Sequence, residues 1–204
     1  EIQAKIVGEI DKLTEQDKKL YNKIQNLEAT IKQIIKSPSE HKSIRLGDVL
    51  TLEYGSALPE RDRINGEYPV AGSNGIVGYH DKFIVKGPAI IVGRKGSTGK
   101  VMWIQKNSYP IDTTFYVKKI KKNLNYKFLF YALRDVDLER LALGAGVPGL
   151  NRNDVYSQFY DMPSFQEQKR IIIEIKKIED KIIDLDKRRE DMKKQKEKVL
   201  KKYL

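Results

Sequence analysis

No cysteine occurs among the 204 residues, which excludes disulfides and thiolate metal sites and fits a reducing, cytoplasmic setting. Histidine is almost as scarce: His41 and His80 stand alone, without a third ligand at metal spacing. No metal site is therefore expected, and His80 beside Asp81 reads as a surface pair rather than a catalytic dyad. No apolar run approaches the roughly 20 residues of a membrane span, and no secretory signal is visible. A membrane partner is thus not expected. Methyltransferase cofactor motifs are missing as well. An initiating methionine is also lacking; the chain opens on Glu1 inside a repeating pattern, and a piece of a longer protein is the expectation.

What is abundant is positive charge. The formal net charge is +11. The stretch 37–163 holds 18 Lys/Arg against 13 Asp/Glu, the stretch 164–204 holds 14 against 9, and residues 1–36 hold 7 against 6. The middle and the C-terminal part carry the excess. A polyanionic partner follows from that distribution, although a basic balance alone does not separate nucleic acid from a membrane surface or simple solubility.

Two long charged segments bracket the chain in one register. Apolar residues in the first recur at alternating spacings of four and three: Ile6, Ile10, Leu13, Leu20, Ile24, Leu27, Ile31 and Ile34, with Asp17 completing the series. Moved along by 165 positions, the same series reads Ile171, Ile175, Ile178, Ile182, Leu185, Arg189, Met192, Lys196 and Val199. This is the heptad seam of a coiled coil. Because one helix delivers the chain to the middle part and the other carries it away, an antiparallel pair is expected. Such a register sets Asp17 against Arg189, and opposite charges at a seam position can fix alignment.

Between the helices the pattern changes at Ser37-Pro38-Ser39, where proline and small polar residues stop the first helix. Leu46-Gly47-Asp48-Val49-Leu50 suggests a short helical turn, and residues 61–66 form a polar loop. Strand signals follow at 68–71, 76–79, 88–92, 101–104 and 113–117. Gly72-Ser73-Asn74-Gly75 reads as a hairpin loop whose glycines and asparagine tolerate positive φ. Residues 125–133 read as a helix on the sheet, 143–149 as irregular, Asn151 as a cap, and 159–163 as extended. The expected fold class is α+β: one domain with a twisted β-sheet and short helices, 37–163, flanked by coiled-coil arms 1–36 and 164–204.

One stretch looks like a phosphate cradle: Gly93-Arg94-Lys95-Gly96-Ser97-Thr98-Gly99-Lys100. A nucleotide-binding P-loop needs glycine where Arg94 stands and a helix after the lysine, whereas Val101 opens a strand signal. What remains is a glycine-rich hairpin tip carrying cations and hydroxyls, the groups that hold DNA phosphates and, in Arg and Lys, read guanine edges. The expected DNA-contacting residues are Arg94, Lys95, Ser97, Thr98 and Lys100, then Ser73 and Asn74, then Arg61 and Arg63. Asp161, Glu167 and Lys169 faintly suggest a nuclease, but Glu167 and Lys169 fall in the first turn of the second helix, where a carboxylate suits the helix dipole. No catalytic residue is assigned.

Residues 68–79 (YPVAGSNGIVGY), 90–96 (IIVGRKG) and 163–171 (PSFQEQKRI) together resemble the specificity subunit of type I restriction-modification systems, across nearly the whole chain. That resemblance implies one target recognition domain reading half of a bipartite site in double-stranded DNA. It also implies helices that set the distance between halves and dock the adenine-methylating modification subunits, which bind S-adenosylmethionine. No cofactor is expected on this chain itself. A complete subunit of that family has two recognition domains and this chain has one. A half-size subunit paired with a second copy, one half of a tandem subunit, and the C-terminal recognition region of a single-chain restriction-methylation enzyme all remain open. A helical scaffold that does not bind DNA would explain the seam but not the basic glycine-rich tip.

Overall fold

The computed structural model describes residues 2–38, 40–142 and 149–203. The chain forms two compact units, one made of Glu1–Pro38 and Arg170–Leu204, the other of Ser39–Lys169.

The helical unit is built from α1 (Ile2–Lys36) and the larger part of α4 (Phe165–Tyr203). Ile24 and Ile31 of α1 and Ile171, Ile175, Ile178 and Leu185 of α4 are buried. Ile6, Ile10, Leu13, Leu20 and Leu27, with Ile182 and Met192, are half-buried, while most residues between these positions are exposed. Ile35 is buried too, a position that the four-three spacing does not name. Burial is concentrated in the C-terminal half of α1 and the N-terminal half of α4. Nearer the start of α1 and the end of α4, the Asp17 carboxylate accepts from Arg189 Nε at 2.8 Å. Only an antiparallel register satisfies both facts: with Asp17 on Arg189, Ile24, Ile31 and Ile35 fall opposite the buried stretch of α4. The Asp17–Arg189 pairing expected from the heptads is thus present. The guanidinium holds the Asp17 carboxyl below its ordinary range, chiefly through that hydrogen bond, and also lies 5.1 Å from the Tyr21 ring centroid.

The second unit is mixed. After β1 (His41–Arg45) a 3-10 turn at Leu46–Asp48 leads to β2 (Leu50–Tyr54), and a second such turn occupies Glu60–Asp62. β3 (Tyr68–Gly72) and β4 (Gly75–His80) form a hairpin, followed by β5 (Ala89–Gly93), β6 (Val101–Ile104), β7 (Tyr109–Pro110) and β8 (Thr114–Ile120). Then come α2 (Tyr126–Asp135), a 3-10 turn at Leu138–Leu141, α3 (Arg152–Ser157) and β9 (Phe159–Pro163). Among the described residues, three sheets result: β2-β8-β5-β6, β4-β3-β7 and β1-β9. β5, a continuous apolar run, takes an interior place in the four-stranded antiparallel sheet with every residue buried, as an unalternating run should.

Helices lock onto this frame through polar contacts as well as apolar ones. Asn125 caps α2 by accepting from Phe128 N at 3.0 Å, and Phe128, Leu129, Ala132 and Leu133 are buried. The Tyr126 hydroxyl accepts from Ile90 N at 3.0 Å, and burial raises its pKa. Asn151 caps α3, and the Tyr156 hydroxyl accepts from Leu52 N at 2.8 Å, fastening α3 to β2. The first turn of α4 belongs to this unit. There Gln168, 2% exposed, accepts from Asn125 N at 2.8 Å and donates to Pro163 O at 2.9 Å.

Sequence signals did not announce β1, β2 or β7. β1 reads as polar and becomes a strand through its pairing with β9. Asn74, expected to tolerate positive φ, does not adopt it; Gly75 does, at +150°. Most of the irregular stretch, 143–148, lies outside the described residues.

Candidate nucleic-acid interface

The turn from β5 to β6 is held by its own backbone. Gly93 N donates to Lys100 O and Gly99 N to Gly93 O, both at 2.8 Å, while Arg94 N donates to Thr113 O at 2.8 Å. Glycine is required at both closing positions: a Cβ on Gly93 would lie 2.1 Å from Ser97 O, and one on Gly99, at φ +80°, 2.4 Å from Glu139 N. The chain leaves this turn into the strand β6, so the arrangement is not a P-loop.

Beside it stands the β3–β4 turn. Lys100 Nζ donates to Asn74 O at 2.7 Å and to Asn74 Oδ1 at 2.9 Å. A Cβ built on Gly93 would also come within 3.1 Å of Ser73 O. The fold therefore brings Ser73, Asn74 and the residues 94–100 together, although their two turns are far apart in sequence. Lys95 and Lys100 are exposed and Ser97 is half-buried. Thr98 is buried, and its hydroxyl donates to Gly96 O at 3.1 Å, which turns that group inward.

The early loop is attached to the same hairpin. Arg63 Nη1 donates to Val77 O at 2.7 Å, and Ile64 N donates to His80 Nδ1 at 3.0 Å. That second bond corrects the expectation of a surface His80–Asp81 pair, because His80 ends β4 facing inward and is buried. Accepting from Ile64 assigns its proton to Nε2, so Asp81 Oδ1, 3.3 Å from Nδ1, is a neighbour rather than an acceptor. Arg61 stays exposed, 3.7 Å from Asp62. Asp161 lies 3.6 Å from His41. Among the described residues, no group of three or more His, Asp or Glu is placed to hold a metal ion.

Two residues outside the expected set join the site. The Tyr54 ring, at the end of β2, has Arg94 Cζ 5.1 Å and Arg152 Cζ 5.2 Å from its centroid. Nothing in the spacing of Tyr54, Arg94 and Arg152 along the chain signals their meeting; it comes from β2 and β5 flanking β8 and from α3 being fastened to β2.

The family description "Type I restriction modification DNA specificity domain" matches residues 38–193. The chain belongs to that family. Within it, the S subunit of the type I restriction-modification system from M. genitalium is similar in fold, with a TM-score of 0.76 at 16% identity over 98% of this chain and 60% of that one. The HsdS subunit from Thermoanaerobacter tengcongensis gives 0.62 at 15% identity, over 98% of this chain and 56% of that one. A chain from a structure describing complex assembly and conformational transition of the type I R-M system gives 0.67 at 14% identity, over 98% and 57%. This DNA specificity domain chain thus spans 60% or less of the length of these structures. Among curated proteins no sequence match is found.

Proposed function

We propose that this chain is the DNA-reading part of a type I restriction-modification enzyme, contacting one half of a bipartite site and docking the modification subunits through α1 and α4. It has no catalytic role of its own; S-adenosylmethionine is expected on the partner subunits. The observation that carries this reading is the junction of the β5–β6 and β3–β4 turns through Lys100 and Asn74, in a domain whose family is that of DNA specificity. It gathers cations, a hydroxyl and an amide on adjoining backbone turns, the donor set that suits phosphates and base edges.

Completion of a bipartite reader takes either a second copy of the chain or a second recognition domain in tandem. Its span of 60% or less of the similar subunits favours one recognition unit out of two. Two identical copies about a two-fold axis would read inverted half-sites, and a tandem partner would read different ones.

Methylation sequencing of cells carrying the chain with its modification partner tests the proposal and yields the target. An interrupted, chain-dependent adenine-methylation site is expected; no chain-dependent methylation, together with no shift of duplex DNA in a gel, overturns it. Lys95→Ala should cost about 1 to 3 kcal/mol of binding and relax one base position if Lys95 reads an edge. If it holds a phosphate, all sequences should weaken alike and the salt slope should fall by about one.

A further inference from the structure

The pair of arginines over Tyr54 is anchored from several sides. The Tyr54 ring lies 5.0 Å from that of Phe115, which is wholly buried, so one aromatic neighbour is fixed in the core while Tyr54 itself remains 49% exposed. Arg94 Nε donates to Asp112 O at 3.1 Å, and its guanidinium stacks on the ring. Arg152 opens α3, whose Tyr156 hydroxyl is bonded to Leu52, two residues before Tyr54; Arg152 Nη1 reaches Leu52 O at 3.5 Å. The two arginine segments are tied to each other as well, through Leu150 N to Arg94 O at 2.9 Å and a β-bridge between Lys95 and Gly149.

Holding two guanidinium groups over one ring brings like charges together. Each stack returns about 0.5 to 1 kcal/mol at an exposed site, and like charges at short range oppose it. Among the described residues neither arginine has a carboxylate within ion-pair distance. Neither Nη of Arg94 has a hydrogen-bond partner among them. Planar forks held in place and not neutralised internally suit a ligand presenting paired acceptor oxygens or nitrogens.

We infer that Arg94, Tyr54 and Arg152 form a two-arginine clamp for DNA, with Tyr54 as the positioning residue that orients both forks toward an acceptor pair. The inference rests on the DNA reading above and adds Arg152 to the contacting residues. Phosphate oxygens and the O6/N7 edge of guanine share this acceptor chemistry.

The test uses the full chain in complex with its modification partner, duplexes containing the mapped site, and variants Arg152→Gln, Arg152→Lys, Tyr54→Leu and Tyr54→Phe. Lys95→Ala serves as the reference for DNA contact elsewhere on the tip. Arg152→Gln should weaken binding roughly 5- to 150-fold. Tyr54→Leu should weaken it severalfold in the parent and less in the Arg152→Gln background, because part of its effect passes through Arg152. Tyr54→Phe should bind as the parent does. If the acceptor is a phosphate, every duplex weakens and the salt slope falls by about one. If it is guanine, discrimination at one base pair is lost and Arg152→Lys, which keeps the charge without the fork, loses it too. Should Arg152→Gln unfold the chain, Arg152→Lys and Tyr54→Leu decide together: parental affinity and parental discrimination in both variants would overturn the clamp. Parental binding by Arg152→Gln while Lys95→Ala is impaired overturns the clamp and leaves the DNA reading standing. A parent complex that binds no duplex overturns both.

Discussion

Gln168 shows how much one side chain settles in this fold. It lies at the start of a helix written almost wholly in charged and apolar letters, and a surface glutamine is what that context suggests. Instead its amide is buried, accepting from the backbone of Asn125 and donating to the carbonyl of Pro163. One residue therefore ties the entry to α2 and the exit of β9 together. Gln168→Leu keeps the volume but removes both bonds, and the expected cost is about 1 to 3 kcal/mol. Urea unfolding followed through Trp103, the one tryptophan of the chain, should show a lower midpoint with an unchanged slope. An unchanged midpoint would mean that water replaces both partners at no cost.

At the scale of elements, the helical unit offers a pH-dependent handle. Asp17 has its carboxyl lowered by Arg189 in the folded chain, whereas an unfolded aspartate takes up its proton near pH 3.9. The pair's contribution is thus complete above about pH 4 and is lost as pH falls through the depressed folded value. Thermal midpoints of the helical signal in the parent should fall more steeply below about pH 4 than those of Asp17→Asn; parallel curves would show that the pair contributes nothing. This register was legible from sequence because a heptad seam is a local, periodic signal: each expected apolar position is buried or half-buried, and the charged exception found its partner. β5 was legible for a related reason, since a run of β-branched residues says "interior strand" without help from elsewhere. β1 and β2 were not, as their strand character comes from pairing with β9 and β8 across most of the domain. The site divides in the same way. The glycine-rich tip and the β3–β4 turn announce themselves, while the bond that joins them, the inward turn of Thr98 and the meeting of Arg152 with Tyr54 are tertiary events. His80 misled because a polar neighbour, Asp81, is visible in the sequence and the buried end of a strand is not.

For the whole molecule, the family resemblance implies helices that measure half-site separation. One heptad inserted into each helix, after Leu20 and before Leu185, adds about 10 Å of helix, equivalent to roughly 3 base pairs of duplex. Methylation maps of such a variant should show the unread spacer lengthened by that amount and each half-site unchanged. A spacer of parental length with activity retained would take the measuring role away from the helices.

The ladder between β1 and β9 has a consequence for how such chains change over generations. His41 pairs with Pro163 and Arg45 with Phe159, so the chain's entry to the globular unit and its exit are zipped together within that unit. A segment whose two ends already meet can be cut out and replaced by another with the same clasp, because the flanking sequence is asked only to supply two neighbouring attachment points. Such a segment behaves as a cartridge. Under the proposed function, new specificity can then arrive by exchange of the whole unit in a single recombination, without point changes at Arg94 or Lys95 and without rewriting the seam.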